Sequence, residues 1–171
     1  GITITGTLNT TQVNNVLAIT NYTGNLTANL SGSNSDLNSL NSTTADTINI
    51  TVTDGVSIAN ITTLESKTSG TLTFSSGIAD TLANLAPSGT VNSNISNDVT
   101  VTVSGTLSTA TNVTHLDAVR AATTGSVTAT LNGTLAVLKE LDAGADALAI
   151  TISDTLSPAS AQNVTDINTV K

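Results

Sequence analysis

The sequence predicts a β-solenoid with mixed α/β coils, in which each coil holds one short parallel strand and one short helical segment. Three observations predict this fold. The chain repeats itself, its strand-like segments alternate between aliphatic and hydroxyl residues, and the segments between them place apolar residues three or four positions apart. About seven coils of about 24 residues would account for the chain of 171 residues.

Two long stretches of the chain align with two later ones. Residues 6–32 match residues 105–133 with a two-residue gap, and residues 36–54 match residues 135–154. In a repeat of this length one coil cannot bury its own apolar face, so neighbouring coils must stack. The sequence contains no evident linker, and residues 1–171 are therefore predicted to form a single repeat domain, as a fragment or unit of a longer array.

Seven segments alternate aliphatic residues with Thr, Ser or Asn. Alternation with a period of two residues puts the aliphatic side chains on one face of a strand and the hydroxyls on the other. The β-branched residues Ile, Val and Thr also suit a pleated surface. The predicted strands are 2–5, 26–31, 48–53, 71–75, 99–104, 127–132 and 148–153.

The connecting segments have the spacing of short helices with one narrow apolar stripe. Thr106, Thr134 and Thr155 stand where helix N-caps are expected. A turn-rich stretch at 87–98 is predicted to be an insertion, since it contains Pro87 and several Gly, Ser and Asn residues. The predicted stripes are Val13, Val16 and Leu17; Ile58, Ile61 and Leu64; Val113, Leu116 and Val119; Leu135, Leu138 and Leu141; and Val164, Ile167 and Val170.

The composition favours a thin aliphatic core and an extracellular location. The chain has one Phe, one Tyr and no Trp, Met or Cys, so Leu, Ile, Val and Ala must supply the core. Without Cys there is no disulfide and no thiolate ligand. Four basic and twelve acidic residues give a net charge of −8, which makes nucleic acid an unsuitable partner. The apolar runs are too short to insert into a membrane.

The outward strand positions predict a face of hydroxyl groups, which we treat as a candidate binding surface. The simplest interpretation is an exposed sheet kept soluble by short polar residues, and the alternatives are a surface that binds ice or a cell-surface glycan. Stacked coils would arrange the outward residues in two ranks. One rank holds Thr3, Asn29, Thr51, Thr73, Thr102, Thr130 and Thr151, and the other holds Thr5, Ser31, Thr53, Ser75, Ser104, Asn132 and Ser153. The candidate binding residues are Thr3, Thr5, Thr51, Thr53, Thr73, Ser75, Thr102, Ser104, Thr128, Thr130, Thr151 and Ser153.

Five aspartates flank the predicted strands: Asp46, Asp98 and Asp146 precede them, and Asp54 and Asp154 follow them. Aspartate at such places usually caps a helix or binds its own turn. The alternative is weak calcium binding at these carboxylates, although no calcium-loop motif is present. No cofactor is otherwise predicted.

No constellation of residues predicts catalysis. His115 is the single histidine, and no spacing supplies it with a nucleophile and a carboxylate. The chain also lacks a phosphate-binding loop and a histidine cluster. We therefore expect a protein that is not an enzyme.

The stretches 127–131, 145–154 and 117–125 resemble Thr/Ala/Asp-rich β-solenoid repeats of very large secreted and cell-surface proteins of bacteria, notably cyanobacteria. This resemblance covers most of the chain. It implies an exported structural, adhesive or filament-forming role, in proteins that often carry calcium-binding repeats elsewhere. Those calcium motifs are absent from this sequence.

The sequence predicts a non-enzymatic extracellular repeat module in a surface layer, adhesin or fibre. One alternative is a self-assembling filament subunit that stacks head to tail through its coil ends, because joining Lys171 to Gly1 would preserve the coil spacing. Another alternative is an ice-binding protein that uses a Thr-x-Thr strand face. Self-association is the expected partnership, with glycan or ice as further candidates.

Overall fold

The computed structural model describes residues 1–19, 24–142 and 144–154. The chain forms two compact units, Gly1–Ile78 and Ala79–Lys171. The single domain over 1–171 stays a prediction.

The first unit alternates strands and helices around one parallel sheet. Its strands follow the order β1-β2-β3-β4, and each pairs in parallel with the next. Parallel neighbours need a crossover connection, and a helix lies in each of the three connections between these strands. The elements are β1 (Ile2–Leu8), α1 (Thr10–Leu17), β2 (Leu26–Gly32), α2 (Asn34–Leu37), β3 (Thr47–Val52), α3 (Ile58–Glu65) and β4 (Leu72–Phe74).

The second sheet has the order β5-β6-β7-β8. Its strand β5 begins at the boundary of the two units, and a 3₁₀ turn at Pro87–Gly89 follows α4. The elements are β5 (Ile78–Thr81), α4 (Leu82–Leu85), β6 (Val101–Leu107), α5 (Ala110–Ala122), β7 (Val127–Gly133), α6 (Leu135–Leu138) and β8 (Ala147–Ile152).

The predicted β-solenoid of about seven coils is wrong, because the strands form two separate four-stranded parallel sheets within an α/β architecture. The first sheet ends at β4, a strand of only three residues. Gly77 then turns the chain with a φ of +76°, and β5 pairs in the second sheet. The sequence pattern missed β5, since the two aliphatic residues of Ile78–Thr81 are adjacent and do not alternate with polar ones.

Two strands run past their predicted ends at residues 5 and 104. β1 continues through Gly6 to Leu8, and β6 continues through Gly105 to Leu107. Both glycines have positive φ, +95° at Gly6 and +86° at Gly105, a conformation that glycine adopts without steric cost. At each glycine the pairing with the next strand shifts, which makes a bulge.

The helices begin at polar caps, although not always at the predicted ones. Asn9 and Thr109 form capping boxes at the start of α1 and α5, with Gln12 and Asn112 as their partners. Thr134 stands at the N-cap position of α6, as predicted, but its side chain makes no capping hydrogen bond there. Thr106 lies within β6 instead, because that strand is longer than the alternation indicated. Thr155 and the stripe Val164, Ile167 and Val170 lie outside the described residues.

Aliphatic side chains fill the interior of both units. In the first unit the helical residues Val13, Ile61 and Leu64 are buried, as their spacing predicted, whereas the other stripe members Val16, Leu17 and Ile58 are half-buried. In the second unit the corresponding stripes are also buried, and they comprise Val113, Leu116, Val119, Leu135, Leu138 and Leu141. The narrow stripes are therefore the helix faces that cover the sheets.

Candidate functional site

The outward face of each sheet presents the predicted hydroxyl groups to solvent. Eleven of the twelve candidate residues are exposed, and Thr51 is half-buried. No strand from β1 to β4 or from β6 to β8 carries a charged residue. The outward positions of these seven strands are therefore uncharged, and most of them carry short polar side chains.

The rows across the first sheet differ from the predicted ranks. Thr3, Thr27 and Thr47 lie side by side on β1, β2 and β3. A second row runs from Thr7 through Asn29 to Asn49. A third row joins Ser31, Thr51 and Thr73. The predicted rank that placed Ser31 between Thr5 and Thr53 is wrong, because Ser31 lies opposite Thr51 and Thr5 lies in the bulge between the paired residues Thr3 and Thr7.

The predicted rank that joined Thr3 to Asn29 and Asn29 to Thr51 is therefore wrong, whereas its Thr51–Thr73 neighbours are confirmed. The bulge at Gly6 moves Thr7 to the position opposite Asn29. Residues Thr7, Thr27, Thr47 and Asn49 belong to the face although they were not selected from the sequence. The hydroxyl alternation that identified the other members also marks Thr27 and Thr47.

The second sheet has the same arrangement with a different chemistry at β8. Thr102 lies opposite Thr128, and Thr106 lies opposite Thr130 beyond the bulge. The corresponding residues on β8 are alanines, Ala147 beside Thr128 and Ala149 beside Thr130. The predicted neighbours Thr102–Thr130 and Thr130–Thr151 are wrong, since Thr151 lies opposite Asn132. This face combines hydroxyl and methyl groups.

Hydrogen bonds fix the amide row of the first sheet. The Asn49 Nδ2 donates to Asn29 Oδ1 at 3.1 Å. The backbone N–H and the hydroxyl of Thr71 both donate to Asn49 Oδ1, at 3.1 and 3.0 Å. This ladder holds the Asn49 side chain in one orientation on the exposed face, so that part of the surface is ordered before any partner binds.

The candidate calcium ligands accept hydrogen bonds from backbone amides. Asp46 is buried, and its Oδ1 accepts the N–H of Leu26 at 2.8 Å while its Oδ2 accepts the N–H of Thr43 at 3.2 Å. Asp54 Oδ1 accepts the N–H of Asn34 at 2.7 Å. Each carboxylate thus binds backbone from another segment of its unit.

The second unit repeats these contacts. Asp146 Oδ1 accepts the N–H of Val127 at 2.8 Å, and Asp154 Oδ2 accepts the N–H of Leu135 at 2.7 Å. Asp98 is exposed between Asn97 and β6. In the described part of the chain, no group of three or more His, Cys, Asp or Glu side chains is placed to hold a metal ion. Calcium binding stays a prediction.

Two buried threonines, Thr68 and Thr123, also accept hydrogen bonds from backbone amides. The Thr68 hydroxyl accepts the N–H groups of Ile48 and Gly70, each at 2.8 Å, and lies 2.7 Å from the Ile48 carbonyl. The Thr123 hydroxyl lies 2.6 Å from the carbonyl of Val99 and accepts the N–H of Gly125 at 2.9 Å. A side chain at Gly70 would collide with the Ile48 carbonyl of β3, and one at Gly125 would collide with the Val99 carbonyl just before β6, so each glycine is required by close packing.

Arg120 organises a charged cluster in the second unit. Its Nε donates to Asp146 Oδ2 at 2.7 Å, and its Nη1 donates to Asp117 Oδ1 at 2.8 Å. Nη1 also donates to the carbonyl of Asp142 at 2.7 Å. Burial acts to lower the pKa of Arg120, but the hydrogen bonds to Asp146 and Asp117 outweigh it and raise that pKa above its ordinary value.

At Asp117 the effect of burial on the pKa outweighs the effect of the hydrogen bonds. Burial raises its pKa, while the hydrogen bond from the Asp142 amide and the pairing with Arg120 only partly offset that effect. A side chain at Gly144 would contact the Arg120 guanidinium, so the end of the Arg120 side chain would have to shift to accommodate it. This cluster fastens the loop around Asp142 and Gly144 to α5.

His115 lies half-buried on α5, beside Gly89 of the 3₁₀ turn. Within the described residues, none of the hydrogen bonds or ion pairs links it to a Ser, Asp or Glu side chain. The structure thus places His115 beside the 3₁₀ turn.

No family model, curated protein or solved structure matches this chain. In the part of the chain that the structure describes, no helix has the length and apolar character needed to cross a membrane.

Replacing Asp46 with alanine should destabilise the first unit by about 1–3 kcal/mol, because the amides of Leu26 and Thr43 lose their acceptor. Urea unfolding measures this loss. Asp98→Ala is the matched control, since Asp98 is exposed. Equal stabilities for the Asp46 and Asp98 variants would show that the buried carboxylate does not stabilise the strand starts.

Proposed function

We propose that this chain is a non-enzymatic structural or adhesive module of an extracellular surface, and that its outward sheet faces are the adhesive surface. The observation that carries the proposal is the set of uncharged, mostly polar rows in register across β1–β4 and β6–β8. Neighbouring members of a row lie about 4.8 Å apart, and successive members along a strand lie about 6.8 Å apart. A partner that repeats along its own length, such as a cell-surface glycan, can meet such a grid at many points.

The chemistry of the side chains supports adhesion with a small entropic cost. Thr is stiff at χ1, and short side chains lose little freedom when a partner covers them. The amide ladder through Asn29 and Asn49 is already ordered by hydrogen bonds. Many weak polar contacts with preorganised groups favour avidity over a single tight site.

Several of the charged groups already serve the fold. Arg120 binds Asp117 and Asp146, and Lys67 Nζ donates to the carbonyl of Leu40 at 2.5 Å. Asp46 and Asp54 accept backbone amides. These engagements support a role in which the charged residues hold the module rigid and the uncharged faces make the contact.

We expect the chain to be retained on insoluble polysaccharide, with cellulose, chitin and peptidoglycan as probes. The double variant Thr47→Glu, Thr128→Glu should lower retention by about tenfold, because it puts a carboxylate into a polar row of each face. Retention of the unmodified chain should change little with salt, since no ion pair carries it.

The matched control is Thr63→Glu, Thr114→Glu. Both threonines are exposed on helices, where their hydroxyls donate to helix carbonyls. The proposal fails if no probe retains the chain, if the helix variant loses as much retention as the sheet variant, or if high salt releases the chain.

Ice binding is a second candidate, and the row Thr3, Thr27 and Thr47 favours it. This row contains threonine alone, so it presents one hydroxyl and one methyl group per strand in a regular line. Thr27 lies at its centre.

If this row binds ice, the chain should show thermal hysteresis, and Thr27→Tyr should abolish it because the larger side chain breaks the line. Nanolitre osmometry measures the effect, with Thr63→Tyr on α3 as the control. Absence of hysteresis in the unmodified chain would exclude this candidate.

A further inference from the structure

An open pocket of about 290 Å³ lies at the carboxyl end of the first sheet. It is found where two strands end and two helices begin, since α1 starts two residues after β1 ends and α2 starts two residues after β2 ends. The residues that line it are all polar apart from Gly32. Sheets of parallel strands with helical crossovers bind their ligands at this end of the strands.

The side chain of Thr10, the first residue of α1, points to a ligand in this pocket. Thr10 is only 5% exposed, and its hydroxyl has no hydrogen-bond partner among the described residues. A buried hydroxyl without a partner costs stability, and native proteins leave few such groups. Because Thr10 itself lines the pocket, a rotation about its χ1 brings the hydroxyl within reach of a small ligand there.

The second unit shows that the fold does not need the polar groups of this pocket. The elements β6, α5, β7, α6 and β8 follow one another in the same order as β1, α1, β2, α2 and β3. Helix α5 begins with Ala110, where α1 begins with Thr10. The third residue of α6 is Val137, whereas the third residue of α2 is Asp36, which lines the pocket. The same elements therefore form without a hydroxyl or a carboxylate at these two positions.

The pocket offers both donors and acceptors of hydrogen bonds. The amides of Thr10 and Thr11 are the first two of α1, so they have no carbonyl partner within the helix. The Asp36 carboxylate is exposed, and it accepts the Ser33 hydroxyl at 2.8 Å through Oδ2 while keeping further acceptor capacity.

This combination selects a neutral ligand that carries hydroxyl groups. The Asp36 carboxylate repels an anion, and the positive end of the α1 dipole repels a cation. A hydroxyl group both donates and accepts, so adjacent hydroxyls on one molecule match the amides and the carboxylate together. The volume of the pocket lies near the lower limit for small-molecule sites, which start at about 300 Å³, so it suits a single small ring.

Hydrogen bonds hold the pocket walls in place. Asn14 of α1 donates through Nδ2 to the carbonyl of Ser39 at 2.8 Å, and its Oδ1 accepts the N–H of Asn41 at 2.9 Å. The Ser39 hydroxyl donates to the Asp36 carbonyl at 2.7 Å. These bonds tie α1 to α2 and the segment that follows it, so a ligand would meet preorganised groups at a small entropic cost.

We propose that this pocket binds a neutral polyhydroxyl molecule of the size of one monosaccharide. The amides of Thr10 and Thr11 and the carboxylate of Asp36 are its hydrogen-bond partners, and the ligand gives the Thr10 hydroxyl the partner that it lacks. The pocket shares Ser31 with the third row of the outward face. The proposal goes beyond the adhesive role of that face and does not depend on it, because one free sugar molecule occupies the pocket.

Nuclear magnetic resonance titration of the ¹⁵N-labelled chain tests the proposal, with glucose, galactose and N-acetylglucosamine as probes. At least one of these sugars should shift the amide signals of Thr10, Thr11 and Gly32 and saturate in the millimolar range, as a few hydrogen bonds in an open pocket allow. Glucuronate, which carries a carboxylate, should bind more weakly than that sugar because Asp36 repels it.

Two variants remove one partner each. Thr10→Val keeps the shape of the side chain and should weaken binding by about three- to tenfold, the value of one hydrogen bond. It should not lower the melting temperature, since the hydroxyl has no partner among the described residues. Asp36→Val installs the residue of the second unit and should weaken binding at least about tenfold, because hydrogen bonds to a charged group are stronger. The matched controls Thr111→Val, at the start of α5, and Asp98→Val replace exposed residues outside the pocket and should leave binding unchanged.

Four results would overturn the proposal. They are unchanged pocket signals with all three sugars up to about 0.1 M, tighter binding of glucuronate than of the neutral sugars, a lower melting temperature of Thr10→Val, and control variants that weaken binding as much as the pocket variants. The sheet variant Thr47→Glu, Thr128→Glu should keep its affinity for the free sugar, and Thr10→Val should keep its retention on polysaccharide. A failure of the pocket is thereby distinguished from a failure of the adhesive face.

Discussion

Both sheets depend on side-chain oxygens that accept backbone amides where the strands begin. Asp46 accepts the amide of Leu26, and Asp146 accepts the amide of Val127, which is the equivalent position in the other unit. Thr68 accepts the amide of Ile48. Each contact joins the start of one strand to the residues just before the next strand. Since a slip of the pairing would break these contacts, they specify the register of the parallel strands.

The surface chemistry follows from that register. It places Thr3, Thr27 and Thr47 in one row, and it aligns the amides of Asn29 and Asn49 so that they bond to each other. Short aliphatic side chains suffice for the core because each sheet is covered by narrow helix stripes. Charged residues such as Arg120 bind loops to helices and do not lie on the strand faces.

The alternation of residues predicted seven of the eight strands, and the exposure of most of the candidate hydroxyls follows directly from it. The same pattern could not place the break between the two sheets, since Ser75, Ser76 and Gly77 are equally compatible with a continuing array. It could not reveal the bulges either, because Gly6 can end a strand or bend one. The rows of the candidate face depend on those bulges. The sequence therefore predicted which residues lie on the face better than it predicted which of them lie side by side.

The roles of the aspartates also required the structure. Asp46 and Asp146 precede strands in the sequence, which is compatible with a turn, a helix cap or a metal ligand. Their bonds to Leu26 and Val127 cross about twenty residues of chain, and no local pattern encodes such a contact. The sequence analysis did not identify Arg120 as important, because its partner Asp146 lies 26 positions away and no local pattern encodes the pair.

Disulfide trapping of the register tests this account most directly, because the chain has no cysteine of its own. Ser31 lies opposite Thr51, whereas Asn29 is two positions away from that pairing. We predict that the pair Ser31→Cys, Thr51→Cys oxidises readily, since opposite residues of paired strands lie within the usual disulfide span. The pair Asn29→Cys, Thr51→Cys should stay reduced. Efficient oxidation of the second pair with failure of the first would contradict the register and the role of the strand-start acceptors.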